Sequence, residues 1–407
     1  MSDERPARGL TALLTTAMAF SMMQLFLLGA LGPRLVERLG VSETLLGLTT
    51  TVGFGTAAVL SPLGGRIVDR VGPRRALVTL LGLSALALAL IGSAPGPGLL
   101  LAAVALGGVP QALANPATNK AILAAVPPAR RGAVTGTKQA GVQWGAFAAG
   151  LPLASAAGVL GWRGAVWTAA VTALLAAVWA RHTAPPHMSP TRTPRAGPTA
   201  PAPRAGPPAL AAPAAADRRP IAWLAAFSVF LGAGIASVNT YLALYGADRL
   251  GMGPAVAGAL VAVLGVAGIA GRVGWARAAV PGRAPWLPGS LATAAVAAAL
   301  LLALAEHAPP LAWAGAVAVG LFAVAGNAVS MVLVIQRSAP GRAGQDSALV
   351  AAGFFAGFAV GPPLFGTLAA RGRYDQGWLL VAAEFGVAGA VALAWALRDR
   401  RTRECVA

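Results

Sequence analysis

"GGRIVDRVGPRR", residues Gly64–Arg75, places five charges among three glycines and a proline, between two long apolar stretches. A basic, breaker-rich dozen of this kind is the composition of a short hydrophilic turn joining two membrane helices. The rest of the chain agrees with that reading. Its 407 residues are 57% hydrophobic and only 11% charged, with a mean hydropathy of +0.70. Apolar runs of ~18–20 residues, the length that crosses a bilayer, recur throughout. A soluble core could not bury that much apolar surface, so the expected class is an all-α polytopic membrane protein.

Twelve helices are expected, near residues 10–31, 45–64, 76–93, 98–119, 133–158, 163–181, 220–245, 253–273, 285–306, 310–334, 345–370 and 377–397. The net charge of +18 follows this topology. With the N-terminus inside, 24 of the 31 Lys and Arg residues fall on the inner side, and six (Arg34, Arg38, Arg163, Arg249, Arg371 and Arg373) fall outside. Lys138 lies within helix five. This is the positive-inside bias, and it places both termini in the cytoplasm. The basic charge is therefore a cytoplasmic face and not a nucleic-acid patch. Tryptophans 162, 179, 223, 275, 286, 313, 378 and 395 fall near helix ends, where an amphipathic ring prefers the interface. The first apolar run is longer than a signal-peptide core and more spans follow, so it reads as a retained helix. The single cysteine, Cys405, precludes an internal disulfide, and His182, His187 and His307 lack metal-ligand spacing. With no nucleotide loop or catalytic triad in the sequence, neither an enzyme nor an ATP-driven pump is expected, and no cofactor or metal.

Between His182 and Arg219 the chain carries ten prolines in 38 residues. Such a segment forms neither a span nor a core, and reads as a disordered cytoplasmic linker. It divides the chain into residues 1–181, a linker at 182–219, and residues 220–407. The halves echo one another: at an offset of 211, Arg131, Phe147, Gly150 and Pro152 match Arg342, Phe358, Gly361 and Pro363. Duplicated six-helix halves are the plan of a transporter that rocks about a central site.

Gly65, Asp69, Arg70, Gly72, Arg74 and Arg75 resemble the G-x-x-x-D-R-x-G-R-[RK] signature of the major facilitator superfamily, with Pro73 in place of one basic residue. The resemblance in plan covers essentially the whole chain and implies two pseudo-symmetric six-helix bundles. It also implies a latch: Gly65 lets helix two approach a neighbour, Asp69 meets the N-terminal end of helix eleven, and Arg70, Arg74 and Arg75 anchor the cytoplasmic edge. The second half has only "GRVGWARAAVPGR", with Trp275 at the aspartate's place. The arginine that many proton-coupled drug exporters of the superfamily bury in helix four has no counterpart in AAVALGGVPQ. The run Gly136–Gln143 with Gly161–Arg163 is loosely similar to bacterial cyanate- and nitrate-type anion porters.

Polar residues inside a bilayer are costly unless they face a bundle interior or water. Gln111, Asn115 and Asn119 form one stripe on helix four; Gln139 and Gln143, with Lys138 and Trp144 beside them, form another on helix five. Helix seven offers Ser237, Tyr241 and Tyr245 on one face with Asn239 nearby, helix one Gln24, and helix ten Asn327 and Ser330. These are the candidate substrate-binding residues; the competing reading is interhelical hydrogen bonding, worth ~0.6 kcal/mol on average. For Trp144 the alternatives are stacking on a substrate and filling space. Gly141 and Gly145, and Gly353, Gly357 and Gly361 before Pro362, recur every four residues, which fits either static close packing or gating movement. Only Glu306 and Glu384 approach the interior, so a neutral or anionic substrate fits better than a cation.

The reading is a secondary active transporter of a small organic solute, anionic or neutral. A proton-coupled multidrug exporter is the alternative within the class, and a non-transporting receptor or scaffold the alternative outside it. Expected partners are the substrate, the lipid bilayer and a coupling proton or other ion, with the chain acting as a monomer. Arginine outnumbers lysine 29 to 2 and alanine abounds, which suggests a GC-rich bacterial genome and hence the bacterial cytoplasmic membrane.

Overall fold

The structure, a computed structural model, describes residues 5–31, 35, 43–185, 219–339 and 341–404. The expected linker falls largely on residues 186–218, which lie outside the described residues, as do Arg34, Arg38 and Cys405. What is described is helical throughout, with no strand among the described residues.

In chain order the helices are α1 (Arg5–Ala30), α2 (Glu43–Val71), α3 (Pro73–Ser93), α4 (Pro97–Ala125), α5 (Pro128–Ala148), α6 (Ala154–Thr183), α7 (Arg219–Asp248), α8 (Pro254–Ala278), α9 (Leu287–Ala303), α10 (Pro310–Arg337), α11 (Ala343–Ala369) and α12 (Tyr374–Glu404). Proline opens α3, α4, α5, α8 and α10, where its fixed φ is pre-set for the helix and its missing N–H costs nothing. Two π-turns interrupt the order: Ala149–Leu153, holding Pro152, prolongs α5, and Val319–Val324 lies within α10. The fifth crossing continues into residues 154–160 and ends at Gly161, whose φ of 71° only glycine adopts readily.

Packing follows a pseudo-twofold axis. Within the first bundle α1 packs on α5, α2 on α4 and α3 on α6; in the second, α7 packs on α11, α8 on α10 and α9 on α12. The bundles meet along two equivalent seams, α2 against α11 and α5 against α8. Among the described residues ten helices are long and apolar enough to cross a membrane unaided; α2 and α5 are not among them. These two carry the charges, threonines and glutamines that the seams bury, so their neighbours complete the burial that hydropathy alone does not predict.

Three expectations need correction. The opening stretch is mostly helix: α2 runs on to Val71, and the turn is Gly72 alone, with φ 83°. Likewise α4 extends to Ala125 and α8 to Ala278, because helices persist beyond the hydrocarbon and their last turns need no apolar residues. Trp378, expected at the interface, is fully buried against Tyr245 and Phe365.

Candidate functional site

At one end of the molecule, where α2 turns into α3, Asp69 joins the bundles. Its Oδ2 accepts the backbone N–H of Gln345 at 3.1 Å, in the first turn of α11, where four N–H groups lack helical partners. Its Oδ1 lies 3.2 Å from Lys120 Nζ of α4. That ammonium also donates to the carbonyls of Val68, at 3.2 Å, and of Asp69, at 2.8 Å, at the end of α2. Gly65 brings the helices together: a Cβ there would lie 2.6 Å from Ala348 Cβ and 2.7 Å from the Gly344 carbonyl. Asn119 adds a bond from Nδ2 to Ser347 Oγ at 2.8 Å. Arg74 donates to the Arg181 carbonyl, tying α3 to α6, while Arg70 and Arg75 are exposed. Lys120 was not expected here, because the sequence reading ended helix four one residue before it.

Among the described residues the second seam has no such carboxylate. Gly132 and Gly136 of α5 sit against the carbonyls of Ala276 and Arg272 of α8. Trp275 packs on Phe322 of α10, with ring centroids 6.4 Å apart.

Replacing Asp69 by Asn removes the anion from both Lys120 and the α11 terminus. Charge–dipole interactions of this kind are worth roughly 0.3–2 kcal/mol. The expected result is a several-fold faster labelling of Ser347→Cys in a Cys405→Ser background, with the protein still folded. Unchanged labelling would mean that the glycine and hydrogen-bond contacts close the seam without the charge.

The glycine series pack within bundles, not between them. Gly141 and Gly145 of α5 fit against the carbonyls of Thr15 and Ala19 of α1. Gly353, Gly357 and Gly361 of α11 fit against those of Ala225, Val229 and Ala233 of α7, four residues for four, just before the buried Pro362. Their geometry is that of close packing.

Between the bundles lies a cavity of about 470 Å³. Asn115, Gln139 and Gln143 line it from the first bundle, and Asn239, Arg272 and Asn327 from the second. Lys138 is fully buried directly behind this wall. Its Nζ donates to Thr118 Oγ1 at 2.7 Å and to Asn115 Oδ1 at 3.2 Å, and Gln139 Nε2 donates to the same Asn115 oxygen at 3.0 Å. Arg272, 4% exposed, spans the α5–α8 seam by donating from a terminal nitrogen to the Gln139 carbonyl at 3.1 Å. Its Nε and Gln139 Oε1 are buried without a partner. No carboxylate lines the cavity among the described residues, and neither Lys138 nor Arg272 forms an ion pair among them. Taking a cation out of water costs several kcal/mol even after relaxation, and here no anion offsets it.

Arg272 was missed for an identifiable reason. With helix eight expected to end at residue 273, Arg272 falls one residue from the cytoplasmic edge and counts among the inner-side charges, whereas α8 continues five residues further and sets it deeper in the bundle.

The other candidates sit elsewhere. Gln24 packs over Gly107 and donates to the Val104 carbonyl at 3.3 Å. Gln111 is buried in α4 with both amide atoms unpartnered, and Asn119 lies in the latch. The helix-seven stripe faces away from the cavity: Ser237 bonds the Ala233 carbonyl. Tyr241 stacks on Phe365 at 4.6 Å. Tyr245 donates to the Leu302 carbonyl at 3.0 Å. Ser330 bonds the Gly326 carbonyl. Trp144, 52% exposed, lines a separate, largely apolar cleft of about 870 Å³ between α1, α5 and α6. That cleft is larger than the central one but has no contribution from the second bundle. Glu306, just beyond the end of α9, holds the exposed Arg249 through two bonds of 3.0 and 3.1 Å, and this carboxylate raises the Arg249 pKa. Glu384 is buried in α12, away from the cavity lining.

Twelve helices in two related bundles around a central cavity define a membrane carrier. Residues 13–344 match the family model of the Major Facilitator Superfamily, and the chain belongs to that family. The fold is similar to that of the human organic anion transporter MFSD10 (TETRAN), with a TM-score of 0.77 at 15% identity over 95% of this chain and 99% of that one. It is also similar to the proton:xylose symporter XylE, with a TM-score of 0.73 at 14% identity over 95% of each chain. The transporter FucP in its outward conformation gives 0.68 at 16% identity, over 94% of this chain and 97% of that one. No curated protein matches the chain in sequence. The protein is thus a multi-pass membrane transporter and not an enzyme.

Proposed function

We propose that this transporter is a secondary active carrier of a small organic anion, working by alternating access. The observation that carries the reading is the pair of buried cations, Lys138 and Arg272, at a central cavity without a lining carboxylate among the described residues. An anionic group reaching Arg272 would supply the missing counter-charge, with Asn115, Gln139, Gln143 and Asn327 orienting the remainder by hydrogen bonds. Alternating access fits the seams. The α2–α11 and α5–α8 contacts close the latch end, and small residues there let them separate as units. In this reading residues 1–181 and 220–407 are the rocking bundles, 182–219 is the tether, and the latch end, carrying both termini, faces the cytoplasm of a bacterial cell. The working unit is the monomer, and a co-transported proton or other ion would drive accumulation.

The test is exchange transport in proteoliposomes, with labelled organic monoanions, neutral solutes and lipophilic cations presented separately. Saturable exchange of monoanions, competed by other monoanions and not by cations, is expected. Exchange of lipophilic cations without anions would instead establish the multidrug-exporter alternative.

A further inference from the structure

Resting on the anion reading, and going beyond it, we infer that the substrate is a planar aromatic monoanion, whose ring lies against a wall of phenylalanines while its charged group reaches Arg272. The cavity has two unlike sides. The α5–α8 seam supplies Arg272, Gln139 and Gln143. The α2–α11 seam is related to it by the pseudo-twofold axis and so lies across the cavity. It supplies Phe54 from one bundle and Phe354, Phe355 and Phe358 from the other.

These four rings form one connected cluster. Phe54 lies 4.6 Å from Phe358 and 5.9 Å from Phe355, and Phe354 lies 4.6 Å from Phe358, centroid to centroid. Each is buried in the protein yet contributes to the cavity wall. Offset and edge-on approaches at 4.5–7 Å are the geometry in which a further ring adds to such a cluster with gain. A polyhydroxylated solute would strand its hydroxyl groups against this wall, and each unmet hydrogen bond disfavours binding. A cation would meet the charge of Arg272 in the wall, with Lys138 behind it. The volume of about 470 Å³ lies in the range of small-molecule sites and suits a body of one or two rings.

If the phenylalanines served only as a seam between bundles, they would not distinguish one anion from another. Four probes separate these cases: 2-naphthoate, its uncharged amide, the hydrophilic anion gluconate, and the flexible aliphatic anion octanoate. The readout is thermal unfolding of the detergent-solubilised full chain, because a ligand that binds only the folded state raises stability by RT ln(1 + L/Kd) at free ligand concentration L, so a tighter ligand does so at lower concentration. 2-Naphthoate is expected to stabilise the protein at concentrations at least tenfold below those needed for each of the others. Gluconate or octanoate equal to 2-naphthoate would overturn the aromatic inference and leave the anion reading intact. The amide equal to 2-naphthoate would overturn the anion reading, and this inference with it. No stabilisation by 2-naphthoate would overturn the inference as well. Phe355→Leu, which keeps an apolar side chain and removes the ring, should weaken 2-naphthoate about tenfold and octanoate less than twofold; equal effects on both would reduce the wall to packing. Should that variant fail to fold, Phe358→Leu serves the same comparison, and the wild-type series stands by itself.

Discussion

Arg272→Gln is expected to lower affinity for a transported organic anion thirtyfold or more, about 2 kcal/mol at the least, while leaving the empty protein as stable as before or more stable. The two effects have one cause. Arg272 is 4% exposed, its Nε has no partner, and no acid lines the cavity among the described residues. In the empty state the protein bears the cost of a desolvated charge, and the substrate's anion removes it. A neutral side chain abolishes both the cost and the attraction. Against this stands the bond to the Gln139 carbonyl at 3.1 Å, whose loss costs ~1–3 kcal/mol if the acceptor stays unmet. Glutamine keeps a donor that can reach toward it. Binding isotherms and thermal unfolding of the same preparation check both halves of the statement. A structural arginine would give the opposite pattern, a lower melting temperature with affinity intact. Lys138→Gln should weaken binding by a smaller factor, about tenfold or ~1.4 kcal/mol, because Lys138 stands behind Asn115 and Thr118 and acts through them.

The contrast between these two cations shows what a sequence exposes and what it conceals. Lys138 was legible: it falls about two turns beyond Arg131 with no other charge after it in the helix, which marks it as unusual whatever the exact boundary. Arg272 was hidden, because its significance depends on five residues of helix beyond the apolar run. Helix ends outside hydrocarbon are set by turn chemistry and tertiary contact, not hydropathy. The Gly65–Asp69 contact with α11 was legible, since a Gly-Asp-Gly spacing points to a close approach and a charge at a helix end, whereas Lys120 and Asn119, which add to it, were not. Polar stripes were legible only as stripes. The i, i+4, i+8 spacing of Gln111, Asn115 and Asn119 assigns them one face, yet depth separates their roles. Only Asn115 reaches the cavity, and Asn119 serves the latch. On α7 the tyrosine stripe points to α9 and α11, and the single Asn239 faces inward. Periodicity fixes which residues share a face, but not which neighbour that face meets; rotation about the helix axis is decided by packing.

Gly65 and Gly357 present the same local geometry and are expected to fail in different ways when replaced by valine. At Gly357 a Cβ would lie 2.0 Å from the Val229 carbonyl oxygen and 2.7 Å from the Ala233 nitrogen. Both are backbone atoms of α7, a helix in the same bundle. No rotamer change relieves such a clash, and the α7–α11 contact belongs to every state the bundle adopts as a unit. Overpacking of a tight core costs ~1–3 kcal/mol and more where backbone must move; with the flanking glycines in the same groove, loss of folded protein is the expected outcome. At Gly65 the obstruction is equally close, 2.6 Å from Ala348 Cβ and 2.7 Å from the Gly344 carbonyl, but it lies on the seam between bundles. In alternating access that seam exists in only one of the two principal states. Gly65→Val should therefore fold, with the clash relieved by parting α2 from α11. The population then shifts to the state open at the latch end, and a cysteine at position 347 is labelled at its maximal rate. Exchange transport should fall to the background of empty liposomes, since a carrier confined to one state completes no cycle. Gel-filtration yield, labelling rate and exchange on the two variants together decide the matter. If Gly65→Val lost its fold as Gly357→Val does, the α2–α11 contact would be permanent packing, and a rocking movement about this seam would be excluded.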